Sequence, residues 1–235
     1  MHNNIAERLT SAYQQIAEIT AKCQREASTA QLIAVSKTKP VTDISEAYAA
    51  GQRAFGENYV QELVEKRLSF SKIELIFEWH SLSGQFNPIK LVTSTAFADV
   101  VHSIERAKIA ERLAAQRKPS QAPLQVLIQI NISGEASKSG VLPTEMLALA
   151  KVITDLPQLE LIGLMAIPEP AVAGDNRQAF QAMVDLSKQL TTIYPQANQL
   201  SMGMSDDWQQ ALTFGATMIR LGTAIFGHRE TTKHE

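Results

Sequence analysis

The chain has 235 residues, of which 45% are hydrophobic and 20% are charged, and its formal net charge at pH 7 is −2. This composition predicts an ordinary globular protein, and the nearly balanced charge disfavours a surface that binds nucleic acid or an anionic membrane. The single cysteine, Cys23, excludes an intrachain disulfide and a zinc site built from several cysteines, and it fits a reducing cytoplasm.

The N-terminal segment predicts a helix rather than a targeting signal. It lacks the basic region and apolar run of a secretory signal, and no apolar run in the chain is long enough to span a membrane. Apolar residues at helical spacing, among them Ile5, Leu9, Ala12 and Ile16, predict an amphipathic helix over residues 4–25. We therefore expect a cytoplasmic protein that does not bind a membrane.

After this helix, short apolar segments alternate with segments of helical pattern. Apolar strands that alternate with helices pair in parallel, because the crossover helices cover both faces of the sheet. Eight such units predict a single (β/α)8 barrel of the TIM type over residues 1–235, with the N-terminal helix either in the eighth helical position or below the barrel. The predicted strands are LIAVS (32–36), RAFGEN (53–58), IFEWHSL (76–82), VVHSI (100–104), QVLIQIN (125–131), LIGLMAI (161–167), NQLSMG (198–203) and MIRLGTAIFG (218–227).

Polar residues lie at the ends of these apolar strands. In a barrel of this type, function resides at the C-terminal ends of the strands. The residues found there are Lys37, Glu57, Asn58, His80, His102, Asn131, the segment around Met165, residues 201–205 and residues 220–223.

Lys37 follows the first predicted strand, where an ammonium group is costly to desolvate. One interpretation is a lysine whose stem packs at the rim while its charge reaches solvent. The other is a lysine that forms a Schiff base, since desolvation favours the neutral amine that attacks a carbonyl group. Lys39 and Lys138 could add positive charge that favours the neutral amine further.

The last two predicted strands end in glycines and hydroxyl residues. Barrels often bind phosphate with the loops after strands seven and eight and a nearby helix N-terminus. Another interpretation is that these residues only form turns and helix caps. A phosphate cradle would combine the backbone N–H groups around Gly203, Met204 and Gly222 with the hydroxyl groups of Ser201, Ser205 and Thr223.

Arg220 and two histidines complete the set of polar strand residues. A buried arginine must be paired because it keeps its charge, and the partner of Arg220 could be an acid such as Glu57 or a group of a ligand. His80 and His102 lack the spacing of metal ligands and are better explained as hydrogen-bonded packing residues. The sequence therefore assigns no metal site.

A lysine after strand one and a phosphate cradle after strands seven and eight meet when the barrel closes, because strands one and eight are then neighbours. A ligand with an aldehyde at one end and a phosphate at the other fits both groups. Pyridoxal 5′-phosphate (PLP) is such a ligand.

Six segments, in order along nearly the whole chain, carry a resemblance to one protein family. They are AVSKTKP, GQRAFGENYVQE, QINISGEASKSG, GLMAIP, LSMGMSDD and RLGTAIFG. Together they resemble the YggS/PROSC family of pyridoxal phosphate homeostasis proteins. The resemblance implies a barrel similar to the N-terminal domain of alanine racemase, bound PLP and a role in vitamin B6 homeostasis.

The resemblance also implies roles for individual residues. Lys37 would hold PLP as a Schiff base, and Asn58 would be a further pocket residue. Arg220 would lie near the pyridine nitrogen, Lys138 would be a secondary PLP contact, and His80 would be a possible contact. The phosphate-binding segments would supply Ser201, Met204, Ser205, Gly222 and Thr223.

One segment departs from the family pattern. Family members usually carry WHFIG, whereas this chain has WHSLSG, with Ser81 in place of the aromatic residue and Ser83 in place of the glycine. Because this strand end faces the cofactor in the family's barrel, the resemblance does not fix what residues 81–90 contribute to the pocket or how open the pocket is.

Three functions remain open. A PLP carrier would hold the reactive aldehyde and supply it to apo-enzymes without a catalytic residue of its own. A PLP-dependent racemase or decarboxylase would need a second acid/base group, which racemases of this fold take from a further domain that we do not expect here. A class I aldolase would use Lys37 on a sugar phosphate, although aldolases commonly place this lysine on a later strand. We favour the carrier, acting as a monomer.

Overall fold

The computed structural model describes residues 4–70, 78–82, 96–135, 139–169 and 175–227. At its centre, eight parallel strands form a closed barrel in the order of the chain, which confirms the predicted (β/α)8 architecture. The strands are β1 Gln31–Val35, β2 Ala54–Glu57, β3 Glu78–Ser81, β4 Val100–Ile104, β5 Leu124–Ile130, β6 Leu159–Ala166, β7 Gln199–Ser201 and β8 Met218–Leu221.

Helices surround this barrel. The N-terminal helix packs against the second helix and against the two short helices that flank β8, so it fills the eighth helical position. Within the described ranges, no helix is long and apolar enough to cross a bilayer. The helices are α1 Ile5–Lys22, α2 Val41–Ala49, α3 Val60–Phe70, α4 Ala107–Gln116, α5 Met146–Thr154, α6 Arg177–Ile193, α7 Trp208–Thr213 and α8 Thr223–Phe226, with 3₁₀ turns at Ala27–Thr29 and Pro143–Glu145.

The last strand is predicted over 218–227, and this prediction is wrong for its second half. β8 ends at Leu221, and the next residues form α8 instead. The carbonyl groups at the end of this short helix are occupied by side chains from elsewhere. Arg8 Nη1 donates to the Ile225 oxygen and Lys39 Nζ to the Phe226 oxygen, each over 3.1 Å. These two cations satisfy helix-end acceptors that would otherwise lack partners.

The barrel wall separates two apolar clusters, because successive strand residues point to opposite faces. On β1, Leu32 and Ala34 face the helices, whereas Ile33 faces the interior. The interior cluster consists of Ile33, Ala54, Val100, Leu127, Ile162, Met165 and Met218. Two residues further along their strands, the buried polar side chains of His102 and Arg220 follow Val100 and Met218. The interior therefore becomes polar towards the C-terminal mouth of the barrel.

Candidate functional site

Barrel closure brings the ends of β1, β2 and β8 together. β1 pairs with β2, where Val35 is level with Gly56, and it pairs with β8 on its other side. Lys37 lies two residues after the end of β1 and Asn58 directly follows β2, and both residues are half-buried. A Cβ atom on Gly222 would lie 3.5 Å from the Val35 carbonyl oxygen. The predicted residues Lys37, Asn58 and Gly222 therefore lie in one sector of the mouth.

Lys37 lies in a tight turn directly after β1. The turn is closed by a hydrogen bond of 3.0 Å from the Lys39 N–H group to the Ser36 carbonyl oxygen. Thr38 has a φ of +63°, a left-handed conformation that is uncommon for a β-branched residue. The Lys37 ammonium group has no hydrogen-bond or ion-pair partner among the residues that the structure describes. Its amine is therefore available to a ligand.

An ionic cluster on β2 and α3 contacts this turn. The Lys66 ammonium group donates to the Ser36 carbonyl oxygen over 2.7 Å, to Glu57 Oε1 over 2.7 Å and to Glu62 Oε2 over 3.0 Å. The Ser36 hydroxyl group donates to the same Glu57 oxygen over 2.6 Å. Glu57 is thus paired with Lys66, and the interpretation that paired it with Arg220 is wrong.

Arg220 is held in the barrel interior by two neutral acceptors. Its Nη1 donates to Ser201 Oγ over 2.5 Å, and its Nη2 donates to the Ala166 carbonyl oxygen over 3.0 Å. Burial lowers the pKa of Arg220 to about 10, so the guanidinium group remains a cation at neutral pH. These bonds leave further N–H groups of the guanidinium available to a ligand.

A chain of polar side chains continues from Arg220 across the interior. His102 Nδ1 lies 3.0 Å from Ser201 Oγ, and His102 Nε2 lies 2.8 Å from His80 Nδ1. The Glu78 carboxylate lies 3.4 Å from His80 Nε2 and favours a proton on that nitrogen. Ser201 can then donate to His102 and His102 to His80, while His80 Nε2 faces the Glu78 carboxylate without a hydrogen bond in the described structure. The two histidines are therefore buried and hydrogen-bonded to each other, as expected from the sequence, and a contact of His80 with PLP stays a prediction.

The charges along this chain follow from burial. Desolvation, together with the nearby His80 and Arg220, keeps the pKa of His102 well below its usual value. The pKa of Glu78 is lowered, chiefly by its interaction with His80. At neutral pH the chain therefore begins at a buried cation, passes through a neutral imidazole at His102 and ends at a carboxylate.

Ser205 and Thr223 bring the loops after β7 and β8 together. Their hydroxyl oxygens lie 3.2 Å apart, and Ser205 is half-buried while Thr223 is exposed. The Met204 N–H group donates to Asp207 Oδ1 over 2.7 Å, so it is occupied within the loop. The Met204 side chain is exposed beside it.

The predicted phosphate residues are divided between two depths. Ser205, Gly222 and Thr223 are partly or fully exposed at the mouth. Ser201 is fully buried and bonds to Arg220 and His102 instead. The hydroxyl group of Ser201 is thus engaged on both sides within the protein.

Two of the predicted positions, Lys138 and Ser83, lie outside the described residues. Ser81 is buried at the end of β3. A cleft of about 840 Å³ opens beside the loops after β5 and β6 and is lined by residues that include Pro168, Asn176 and Phe214. None of the predicted PLP-binding residues that the structure describes lines this cleft, so it is separate from the site around Lys37.

The donor groups at the mouth fit a ligand with a carbonyl group at one end and a phosphate at the other. Lys37 offers an amine without a competing partner in the described part of the chain. The hydroxyl groups of Ser205 and Thr223 suit phosphate oxygens, and Arg220 adds positive charge and N–H donors. These are the donor types that the aldehyde, phosphate and ring nitrogen of PLP require.

The Lys66 cluster was missed by sequence analysis although one signal for it was present. Val60, Leu63, Lys66 and Phe70 recur on one face of α3, and all four are buried. A lysine within the apolar stripe of a helix predicts a buried partner, because an unpaired buried ammonium group is costly. Its contact with Ser36 across the β1–β2–α3 unit could not be predicted, since it depends on how α3 packs on the barrel.

Comparison with protein families and with curated proteins gives consistent matches. The family model described as "Alanine racemase, N-terminal domain" matches residues 11–230. The pyridoxal phosphate homeostasis protein of Vibrio cholerae is 48% identical over 239 residues, which cover 98% of this chain and 99% of that protein. The protein of the same name from Escherichia coli strain K12 is 44% identical over 234 residues, covering 98% and 99% respectively.

Solved structures support the same assignment of fold. PipY from Synechococcus elongatus, solved with PLP bound, is 34% identical with a TM-score of 0.80 and covers 95% of this chain and 100% of its own. Alanine racemase from Corynebacterium glutamicum has a TM-score of 0.71 at 16% identity, covering 98% of this chain and 62% of its own. The second likeness concerns the fold alone, and it confirms the predicted similarity to the alanine racemase barrel.

Proposed function

The chain belongs to the family of pyridoxal phosphate homeostasis proteins, and from this premise we propose that it binds PLP and supplies it to apo-enzymes. The observation that carries the proposal is the half-buried, unpartnered amine of Lys37 in the described structure, near the end of β8 and its Thr223–Ser205 hydroxyl pair. PLP bound to the related PipY supports the choice of ligand. In this role the protein contributes to vitamin B6 homeostasis.

Lys37 is the proposed point of covalent attachment. Its neutral Nζ adds to the aldehyde carbon, a C=N bond replaces the C=O bond, and the oxygen leaves as water. The reaction is a condensation that needs no oxidant or reductant. Asn58, which directly follows β2, the strand paired with β1, is proposed to donate a hydrogen bond to a ring substituent.

The loops after β7 and β8 are the proposed phosphate site. In the hydrogen bond between Ser205 and Thr223 only one hydroxyl group donates, so the other keeps its proton for a phosphate oxygen. Gly222 has no side chain, and this leaves the approach to the loop open. Ser201 is proposed to orient Arg220, because its hydroxyl group is engaged by Arg220 and His102.

Arg220 is the proposed partner of the pyridine nitrogen. A guanidinium cation donates a hydrogen bond but cannot accept the proton of a pyridinium, so it favours an unprotonated ring. An unprotonated ring withdraws electrons less strongly, and carbanion chemistry on the bound cofactor is then less favourable than with a carboxylate partner. This property supports a carrier that holds PLP rather than an enzyme that turns over amino acids.

A PLP-dependent amino-acid racemase or decarboxylase is the alternative function. The barrel shared with alanine racemase is the observation that keeps it open. Incubation of the PLP-loaded protein with L-alanine and other amino acids distinguishes the two. The carrier predicts no steady formation of D-alanine or amines, together with recovery of activity when the loaded protein is mixed with a PLP-dependent apo-enzyme.

We also propose that the protein acts as a cytoplasmic monomer. The one cysteine of the chain, Cys23, has a free thiol, as expected in a reducing compartment. Sedimentation equilibrium over a range of protein concentrations tests the monomer, and a mass that rises with concentration would contradict it.

The covalent attachment is tested by an absorption spectrum taken before and after borohydride treatment. We expect a band at the visible edge that borohydride bleaches, and a pyridoxyl mass on the peptide that contains Lys37. The matched variants are Lys37→Arg and Lys39→Arg, which both retain positive charge two residues apart. We expect the band to disappear only in Lys37→Arg.

Two results would overturn this assignment. A bleachable band in Lys37→Arg would exclude Lys37 as the point of attachment, and a pyridoxyl mass on the Lys138 peptide would then identify the lysine used. A wild-type protein that shows no band at saturating PLP would contradict the proposed function itself.

A further inference from the structure

The turn that carries Lys37 is attached to an ionic cluster on both sides of the lysine. Before Lys37, the Ser36 carbonyl oxygen accepts from Lys66, and the Ser36 hydroxyl donates to Glu57. After it, the Thr38 N–H group donates to Glu62 Oε2 over 2.6 Å. The backbone on either side of Lys37 is therefore tied to α3 and to the end of β2.

Lys66 connects these contacts into one unit. Its ammonium group has three donors, and they go to the Ser36 carbonyl and to one oxygen each of Glu57 and Glu62. The same Glu62 oxygen accepts from both Lys66 and the Thr38 N–H group. Movement of α3 would therefore be transmitted directly to the backbone beside Lys37.

Thr38 shows that the turn is held in an unfavourable backbone conformation. A β-branched residue at a φ of +63° is strained, and such strain persists only where the surroundings fix it. The hydrogen bond to Glu62 supplies that constraint. A glycine would adopt this conformation without strain, but it would also allow the turn to occupy others.

The cluster is costly to bury. The Lys66 and Glu57 side chains are 7% and 0% exposed, and Glu57 Oε2 has no hydrogen-bond partner in the described structure. Burial raises the pKa of Glu57, which the Lys66 ammonium group opposes. Burial acts in the same direction on Glu62, but hydrogen bonds from Thr38 and Lys66 outweigh it and lower the pKa of Glu62. Apolar residues in place of such a cluster are often neutral or stabilising, so stability alone does not account for it.

We propose that Glu57, Glu62 and Lys66, acting through Ser36 and Thr38, position the Lys37 amine for attack on the PLP aldehyde. None of these residues touches the ligand in this role, so they are positioning residues. The inference rests on the proposed function. It adds that the rate of covalent attachment depends on the cluster, while binding of the phosphate and ring does not.

Thr38→Gly tests the strained turn, and the chain offers a matched control. Within the described residues, Gln24 is the other non-glycine residue with positive φ, at +56° near the end of α1. Thr38→Gly and Gln24→Gly make the same type of backbone change, one beside Lys37 and one at the end of α1. Stopped-flow absorbance after mixing with PLP gives the rate of covalent attachment, and thermal unfolding gives stability.

Thr38→Gly should slow covalent attachment by about tenfold, since misplacement of a reacting group by an ångström can cost up to about a hundredfold. Gln24→Gly should leave the rate unchanged. Both variants should bind pyridoxine 5′-phosphate as the wild type does, because this analogue has no aldehyde and reports only the phosphate and ring contacts. A loss of analogue binding in Thr38→Gly would overturn the positioning role in favour of a general structural one.

Glu62 provides a second test with a conservative rescue. Glu62→Gln keeps one oxygen that can accept from both Thr38 and Lys66, whereas Glu62→Ala removes it. We expect the rate of attachment to fall in Glu62→Ala and to be largely restored in Glu62→Gln, with analogue binding unchanged in both. Equal rates in the wild type, Thr38→Gly and Glu62→Ala would contradict this inference and leave the proposed function intact. Absence of attachment in the wild type would contradict the proposed function instead.

Discussion

At the residue scale, the buried chain from Arg220 to Glu78 fixes the protonation of the interior. Arg220 only donates, so Ser201 accepts from it and has its own proton for His102. At the other end, the Glu78 carboxylate favours a proton on the nearby His80 Nε2, which leaves His80 Nδ1 as the acceptor for His102. A proton added to His102 would leave Ser201 without an acceptor at Nδ1 and would place a second positive charge near Arg220. The chain therefore depends on His102 remaining neutral.

The free energy of unfolding should fall as the pH is lowered below about 6.5, the unperturbed pKa of histidine. Since the pKa of His102 is well below its usual value in the native state, the unfolded chain binds a proton in this range while the native chain does not. The resulting loss approaches about 1.4 kcal/mol per pH unit. Urea unfolding of the wild type and of His102→Gln between pH 7.5 and 5 measures it.

The His102→Gln variant should show a shallower dependence on pH than the wild type. Glu57, whose pKa is raised by burial, changes stability in the opposite sense, but it is present in both proteins and cancels in the comparison. If the free energy of unfolding changed with pH equally in the two proteins, His102 would not be the group responsible for the loss of stability at low pH.

The sequence singles out Lys37 as the proposed attachment point, because an ammonium group directly after an apolar strand is unusual enough to need a reason, and the structure shows this lysine half-buried in the turn after β1. The hydrogen-bond partners around Arg220 could not be predicted from the sequence. Ser201, His102 and His80 come from three strands, and their contact depends on how far each side chain reaches across the barrel interior. The alternation of side chains along a strand indicates which residues point into the barrel, but it does not give the distances between those side chains.

At the element scale, the loop between β7 and α7 depends on Gly203. Its φ is +93°, which disfavours any residue with a side chain. A Cβ atom there would lie 2.6 Å from Ala211 Cβ and 3.0 Å from Trp208 Cα, so α7 packs directly on the glycine. Because Ser205 follows two residues later, the position of its hydroxyl group depends on this close packing.

Gly203→Ala should lower the free energy of unfolding by about 2–4 kcal/mol, from backbone strain and overpacking together. It should also weaken PLP binding, because the displaced loop carries Ser205. Gly215→Ala is the matched control, since Gly215 also has a φ of +93° but a Cβ atom there would meet nothing within 4 Å. Urea unfolding and PLP titration of both variants separate backbone strain from packing. Equal losses of stability would show that packing of α7 on Gly203 contributes little.

Most elements could be predicted because apolar strands and amphipathic helices have clear periodicity. The helix in the second half of 218–227 could not be predicted, because Thr223–Phe226 is an apolar segment too short to show a helical period. Its terminal carbonyl groups accept hydrogen bonds from the Arg8 and Lys39 side chains, which are distant in sequence and give no signal within the segment itself.

At the scale of the whole molecule, pairing of β1 with β8 joins the two ends of the described chain into one closed sheet. Four residue pairs define this contact, from Gln31 with Met218 to Ala34 with Leu221. The interior cluster draws on β1, β2, β4, β5, β6 and β8, so neither half of the barrel contains a complete core. We therefore propose that residues 1–235 fold as a single cooperative domain.

Trp79 and Trp208, the two tryptophans of the chain, report on opposite sides of the barrel. Trp79 is buried in β3 and Trp208 at the start of α7, after β7 and thus four strands further around the closed sheet. Trp79→Phe and Trp208→Phe each leave one reporter, and their urea transitions can be compared with far-UV circular dichroism of the same variant. Because each half-barrel would expose its side of the shared core if the other unfolded, we expect fluorescence and dichroism midpoints to coincide in both variants. A fluorescence midpoint that precedes the dichroism midpoint in only one variant would show that one half of the barrel unfolds independently.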